Sequence, residues 1–225
     1  MGGLTMLAAA SASFVGSHFI LSHPLRAPLV ARIGERGFIL VYSLVAVATL
    51  GWMAHAYRTA PPEPLWWEPG DGLWIAASLV MWLAAVLFAG SLVGNPALPA
   101  PGAGAAARKA PRGVFRITRH PMMWAFALWG FVHIAVWPSI ASLILCGAII
   151  ILALVGARLQ DAKKAALMGD DWRHWSSVTS YWPFARGFAL PGAGAIVGGT
   201  AFWLLATWLH TPAGVMAAGI WRWLG

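Results

Sequence analysis

Six long apolar segments constrain the fold of this chain most strongly. Several of them contain about 16 to 21 residues, close to the roughly 20 that an α-helix needs to cross the hydrocarbon core of a bilayer. A soluble domain carries about a quarter charged residues, whereas this chain of 225 residues is 60% hydrophobic and only 10% charged. The sequence therefore predicts an all-α fold, a polytopic integral membrane bundle of about six transmembrane helices in a single domain, with helices near 4–20, 38–57, 73–93, 121–136, 139–157 and 194–221.

The positive charges are concentrated in alternate loops. The loops after the first, third and fifth apolar segments contain 3, 5 and 5 Lys or Arg residues, against 1, 0 and 1 after the others. The positive-inside rule then predicts that the basic loops are cytoplasmic and that both termini lie on the non-cytoplasmic side. Because this asymmetry accounts for the net charge of +8, the charge does not indicate a nucleic-acid partner. The apolar surface of the bundle is predicted to contact the lipid bilayer.

Three features outside the apolar segments predict local structure. Residues 94–111 are rich in proline and glycine, including Pro99 and Pro101, and are predicted to form a flexible linker. Gly169 separates a predicted helix from a short aromatic helix that lies along the membrane surface, where structural anchoring alone would explain it. Pro212 predicts a kink or a break in the last apolar segment.

Histidines are the main ionisable groups inside the predicted helices, and each is a candidate for function because burial in lipid is costly. His18 lies near the inner end of the first helix and His133 near the outer end of the fourth. A neutral imidazole is a good ligand for heme iron. Gly130, one turn before His133, leaves room for a flat macrocycle, and Trp129 would line that space. The alternative is a histidine that is hydrogen-bonded to the backbone of a neighbouring helix.

A second cluster of candidates stands at the start of the fourth helix, where Pro121 suits the first helical turn. Arg116, Arg119 and His120 immediately precede it. Because the N-terminus of a helix favours anions, this cluster could bind a carboxylate, a phosphate or a heme propionate. The alternative is the ordinary positive charge of a cytoplasmic loop.

Short motifs spread along the chain resemble those of the NnrU family of bacterial membrane proteins. The resemblance covers most of residues 14–186, and the last apolar segment matches only in being apolar. Each motif is short, but their order is fairly specific. They are Gly16-Ser17-His18-Phe19, Ile33-Gly34-Glu35-Arg36-Gly37, Tyr42-Ser43, Arg119-His120-Pro121-Met122-Met123-Trp124, Leu128-Trp129 with His133, Gly169 with Trp172, and Thr179-Ser180 with Pro183-Phe184.

This resemblance implies a multi-pass protein of the bacterial inner membrane that is associated with denitrification and nitric oxide metabolism. The family is also similar to plant 15-cis-ζ-carotene isomerase, whose b-type heme acts on a polyene, an apolar small molecule. The heme histidines of that enzyme match His18 and His133, which implies heme b and a metal site at these residues. The isomerase's cysteine, one turn before the second histidine, falls on Gly130, so a thiolate ligand is not available here.

Two further readings remain open. A more distant likeness to isoprenylcysteine carboxyl methyltransferases and phospholipid methyltransferases rests on Arg119-His120-Pro121 and implies S-adenosylmethionine, with Asp161 beside it. In those families a pair of glutamates stands where this chain has Gln160-Asp161. The other reading is a non-enzymatic accessory subunit whose partner is a nitric oxide or nitrite reductase.

The predicted topology places the two heme histidines at different depths. His133 lies 12 residues into the fourth helix, about 18 Å from the cytoplasmic edge at 1.5 Å per residue, whereas His18 lies close to that edge. The two axial nitrogens of one iron must be only about 4 Å apart, since each metal–nitrogen bond is near 2 Å. His18 paired with His120 is the alternative ligand set.

Overall fold

The computed structural model describes residues 2–98 and 102–224 and is helical, with no strand in those two ranges. Nine α-helices and one 3-10 helix are found in this part of the chain. They are α1 (Gly3–Ser22), α2 (Arg26–Arg58), α3 (Asp71–Ser91), α4 (Ala103–Ala107), the 3-10 helix Gly113–Arg116, α5 (Pro121–Val136), α6 (Ile140–Met168), α7 (Asp170–Val178), α8 (Ala193–Trp208) and α9 (Trp221–Leu224). Pro99 and Pro101 of the predicted linker lie outside the described residues.

The predicted class, a helical membrane bundle, is confirmed. Four helices are long and apolar enough to cross a membrane, namely α1, α2, α3 and α6. The apolar helices α5 and α8 contain 16 residues each, or about 24 Å at 1.5 Å per residue, and pack beside the longer ones. Helix α3 lies between α5 and α8, while α6 lies between α5 and α1.

Both termini lie at one end of the bundle. Gly3 approaches Pro61, which follows α2, and the guanidinium of Arg222 lies 4.5 Å from the ring centre of Trp74 near the start of α3. At the same end Trp66 N donates a hydrogen bond to Pro138 O in the turn between α5 and α6. The opposite end, which we call the basic end, contains the loops rich in Lys and Arg. This arrangement agrees with an even number of crossings, and the cytoplasmic location of the basic end stays a prediction.

Helix boundaries agree with the sequence for α5 and differ for three others. Helix α2 begins at Arg26, twelve residues before the predicted start, with a break at Gly34, where φ is 74°. Helix α6 runs to Met168 and not to 157, and Gly169 ends it with φ 55° before α7, as predicted. Helix α8 ends at Trp208, so the predicted span to 221 is wrong, and irregular turns surround Pro212.

The contact between α3 and α8 depends on a glycine. A Cβ placed at Gly199 would lie 2.4 Å from Val86 Cα and 2.7 Å from Val86 N. Backbone atoms cannot move aside as the end of a flexible side chain can. Small residues that let two backbones approach closely are a common basis of helix packing in lipid.

We expect Gly199→Ala to lower the free energy of unfolding by about 1 to 3 kcal/mol, because the added methyl group forces α3 and α8 apart. Thermal unfolding of the purified protein in detergent measures the effect. Gly147→Ala in α6 is the matched control, since nothing lies within 4 Å of a Cβ at that position. Equal melting temperatures for the two variants would contradict the close contact.

Candidate functional site

Arg119, His120 and Asp161 meet at the basic end of the bundle. Arg119 and His120 directly precede α5, whose first residue is the predicted Pro121, and Asp161 projects from α6. The Arg119 guanidinium donates to the carboxylate from Nε at 2.9 Å and from Nη2 at 2.5 Å. The Nε2 atom of His120 lies 2.7 Å from Asp161 Oδ1. We call this group the Arg119–His120–Asp161 centre.

The centre is mostly removed from solvent and is balanced in charge. The side chains of Arg119, His120 and Asp161 are 13%, 2% and 16% exposed. A two-pronged arginine–carboxylate pair of this kind is a strong, directional interaction. The hydrogen-bond pattern assigns the proton of a neutral His120 to Nε2, which leaves Nδ1 as an acceptor. Within the described part of the chain, Nδ1 makes no hydrogen bond.

Aromatic side chains surround the imidazole of His120. The ring centre of Tyr181 lies 5.8 Å from that of His120, and Trp172 lies 6.3 Å away. The guanidinium of Arg158 lies 4.5 Å from the Tyr181 ring centre, within the range of a cation–π contact. Burial raises the pKa of the Tyr181 phenol, so it stays protonated and donates to Leu154 O at 2.7 Å.

The segment after α7 is fastened across the start of α5 by hydrogen bonds to backbone carbonyl groups. Thr118 Oγ1 donates to Tyr181 O at 2.7 Å, and Trp124 Nε1 donates to the same oxygen at 2.9 Å. The backbone N–H of Arg119 donates to Ser180 O at 2.8 Å. These bonds hold Tyr181 against the centre.

Sequence reasoning overlooked Arg158 and Tyr181 as parts of this site. Arg158 was counted as a loop charge because α6 was predicted to end at 157. With the helix continued, Arg158 and Asp161 are three residues apart and therefore neighbours on one helix face. Arg116, by contrast, does not join the centre: it is exposed at the end of the 3-10 helix.

His18 lies near the basic end of α1, against α2. Its Nδ1 lies 2.7 Å from Phe14 O, one turn earlier in its own helix. Its ring centre lies 4.4 Å from that of Phe14 and 5.4 Å from that of Tyr42 in α2. The structure therefore surrounds this imidazole with aromatic rings from two helices.

His133 lies near the opposite end of α5, and the predicted space beside it is filled. Its Nδ1 lies 2.7 Å from Trp129 O, and the Trp129 ring covers it at a centroid distance of 4.2 Å. A Cβ at Gly130 would meet Ile150 Cγ1 at 2.7 Å and Cys146 O at 3.1 Å. Gly130 thus permits close packing of α5 on α6 and leaves no room for a macrocycle.

The separation of His18 and His133 can be measured along α6, which contacts both of their surroundings. His133 O accepts a hydrogen bond from Ser142 Oγ at 3.4 Å, and Phe19, next to His18, faces Gly156, since a Cβ there would lie 3.8 Å from Phe19 Cε1. Ser142 and Gly156 are about 21 Å apart along a helix that rises 1.5 Å per residue. The structure does not bring His18 and His133 together.

The alternative pair, His18 with His120, is not joined by any contact within the described residues. His120 contacts Asp161 in α6, whereas the neighbours of His18 are Phe14 in α1 and Tyr42 in α2. The two imidazoles therefore have different neighbours.

The cavities do not favour a heme site either. One cavity of about 880 Å³ lies at the basic end, and another of about 540 Å³ lies beside α1; no histidine lines either of them. Because His18 and His133 lie near opposite ends of the bundle, the residues predicted to bind heme b do not fit a bis-histidine site in this arrangement.

Comparison with known proteins identifies the family of the chain. The family model described as NnrU protein matches residues 6–217, so this chain belongs to the NnrU family. Neither a curated protein sequence nor a solved structure matches it. The likenesses to the carotene isomerase and to the methyltransferases stay predictions.

Heme binding can be tested by the visible spectrum of the purified protein after heme supplementation. If heme binds, we expect its Soret band to remain in at least one of the variants His18→Ala and His133→Ala. One heme cannot depend on both histidines, because about 21 Å of helix separates them. A six-coordinate heme spectrum in the natural protein that disappears in each of the two variants would contradict this geometry. His55→Ala, at a histidine outside the predicted pair, is the control.

Proposed function

We propose that this NnrU-family protein of the bacterial inner membrane acts in nitrogen-oxide metabolism through the Arg119–His120–Asp161 centre. The observation that carries the proposal is the contact of two candidate residues, Arg119 and His120, with one carboxylate. Of all the residues singled out in the sequence, these are the ones that converge. The family association with denitrification supplies the physiological setting.

The chemistry proposed for the centre is proton exchange with a bound ligand. Asp161 accepts the Nε2–H of His120, which fixes the tautomer and the ring orientation. Nδ1 is then the atom that takes up a proton. Arg119 donates to the same carboxylate from Nε and Nη2, so that the acceptor of His120 is held in place.

A denitrifying bacterium without its own copy of the gene provides the test. We expect His120→Asn and Asp161→Asn to abolish complementation, measured as nitric oxide accumulation during growth on nitrate, while the protein remains in the membrane. His18→Ala and His133→Ala are the matched variants and should complement normally. The reverse pattern would contradict the proposal and favour a role for the two separated histidines.

A second candidate function, an S-adenosylmethionine-dependent methyltransferase, is favoured by the same convergence of Arg119, His120 and Asp161. Against it, Arg119 and His120 engage both oxygens of the Asp161 carboxylate. Gln160, the other residue at the position of the glutamate pair, donates to Ala97 O at 2.7 Å. Calorimetry with millimolar S-adenosylmethionine discriminates: no binding heat would exclude this candidate.

The accessory-subunit reading and the heme reading make different predictions. An accessory subunit would co-purify with a nitric oxide or nitrite reductase and would tolerate His120→Asn. Isomerase-like chemistry on an apolar polyene depends on heme b and receives no support from the positions of His18 and His133. The complementation experiment separates the accessory-subunit function and the heme-dependent function from the proposed centre.

A further inference from the structure

The larger cavity lies apart from the Arg119–His120–Asp161 centre, and the proposed function does not use it. Its volume is about 880 Å³, and its walls come from the end of α3, the 3-10 helix, α7 and the start of α8. These walls are largely apolar, with Val114 and Phe115 among them. Helix α3 ends and helix α8 begins beside this cavity. Because both helices are apolar, their ends lie at the level expected for lipid phosphates.

The start of α8 presents free backbone donors to this cavity. The first helical hydrogen bond runs from Ile196 N to Gly192 O, and no side chain caps the helix. The N–H groups of Ala193, Gly194 and Ala195 therefore precede the hydrogen-bonded ladder, and all three residues line the cavity. Unpaired N–H groups together with the helix dipole favour an anion.

Two positive side chains line the same cavity. Lys109 and Arg112 are exposed, and neither forms an ion pair within the described residues, whereas the neighbouring Arg108 pairs with Asp171 at 2.6 Å. Within the described part of the chain, no acidic side chain lines the cavity. The cavity is thus positive without an internal counterion.

An independent observation points to a missing hydrogen-bond acceptor. Trp175 lines the cavity and is 3% exposed. Its Nε1 is buried and has no hydrogen-bond partner in the part of the chain that the structure describes. An unpaired buried donor costs about 1 to 3 kcal/mol, and buried polar groups are nearly always satisfied. A bound oxyanion would supply the acceptor.

We propose that this cavity binds a phosphate group. The N-terminus of α8, Lys109 and Arg112 neutralise the anion, and Trp175 Nε1 donates to it or to an ester oxygen beside it. Val93, an apolar residue that lines the cavity, is 79% exposed, which favours a phosphate attached to an apolar body. An anionic phospholipid of the same leaflet and free phosphate share this chemistry.

Native mass spectrometry of the full chain in detergent tests the proposal with dioleoyl phosphatidic acid as probe. We expect one lipid to stay bound, and the double variant Lys109→Glu/Arg112→Glu to weaken its binding at least tenfold. The matched control is Arg36→Glu together with Arg32→Glu, which changes the charge equally in exposed residues away from the cavity. These variants should bind within twofold of the natural chain.

Trp175→Phe tests the unpaired donor, because it keeps the ring and removes only the N–H. We expect binding to weaken about threefold to tenfold with an unchanged melting temperature. Competition by millimolar inorganic phosphate would identify soluble phosphate as the ligand, and its absence would identify the lipid. If no lipid is retained and phosphate does not bind, or if both charge variants lose binding equally, the proposal is overturned. Failure of complementation by His120→Asn is independent of all these outcomes.

Discussion

The interaction between Asp161 and the two residues before α5 organises the basic end of the molecule. A carboxylate within a helix of this kind is costly unless it is paired and hydrogen-bonded. Arg119 and His120 satisfy it and thereby fix where α5 begins relative to α6. At the far end the same two helices are joined by the short turn through Pro138. The α5–α6 pair is therefore fastened at both ends.

The rest of the basic end is built on this pair. Helix α7 and the segment after it pack on the start of α5, and Trp172, Trp175 and Tyr181 form one hydrophobic cluster with Phe115. Because α7 is separated from α6 only by Gly169, the position of α6 sets the position of these aromatic rings. The centre and the cavity therefore share this aromatic cluster, because His120 neighbours Trp172 and Trp175 lines the cavity.

Much of the fold could be predicted from the sequence, because several of the apolar segments are close to the length that a bilayer imposes. Pro121 and Gly169 marked helix boundaries correctly, since a ring without an N–H suits a first turn and a positive φ suits glycine. The continuity of α6 was missed because its membrane-spanning part was predicted to end at 157 and the helix before Gly169 was predicted as a separate element, although a helix can continue beyond its apolar part. Neighbours across helices were not predictable: the sequence does not say that Ile150 fills the space beside Gly130. The convergence on Asp161 likewise needed the positions of two helices.

Asp161 and Arg119 stabilise the protein as a pair, and a double-mutant cycle in the full chain measures this coupling. The unfolding free energies of Asp161→Asn, Arg119→Gln and the double variant are measured in mixed micelles. Each single variant leaves an uncompensated group, so we expect the double variant to lose less unfolding free energy than the sum of the two single losses, with an interaction free energy of about 1 to 3 kcal/mol. Additivity within about 0.5 kcal/mol would contradict it.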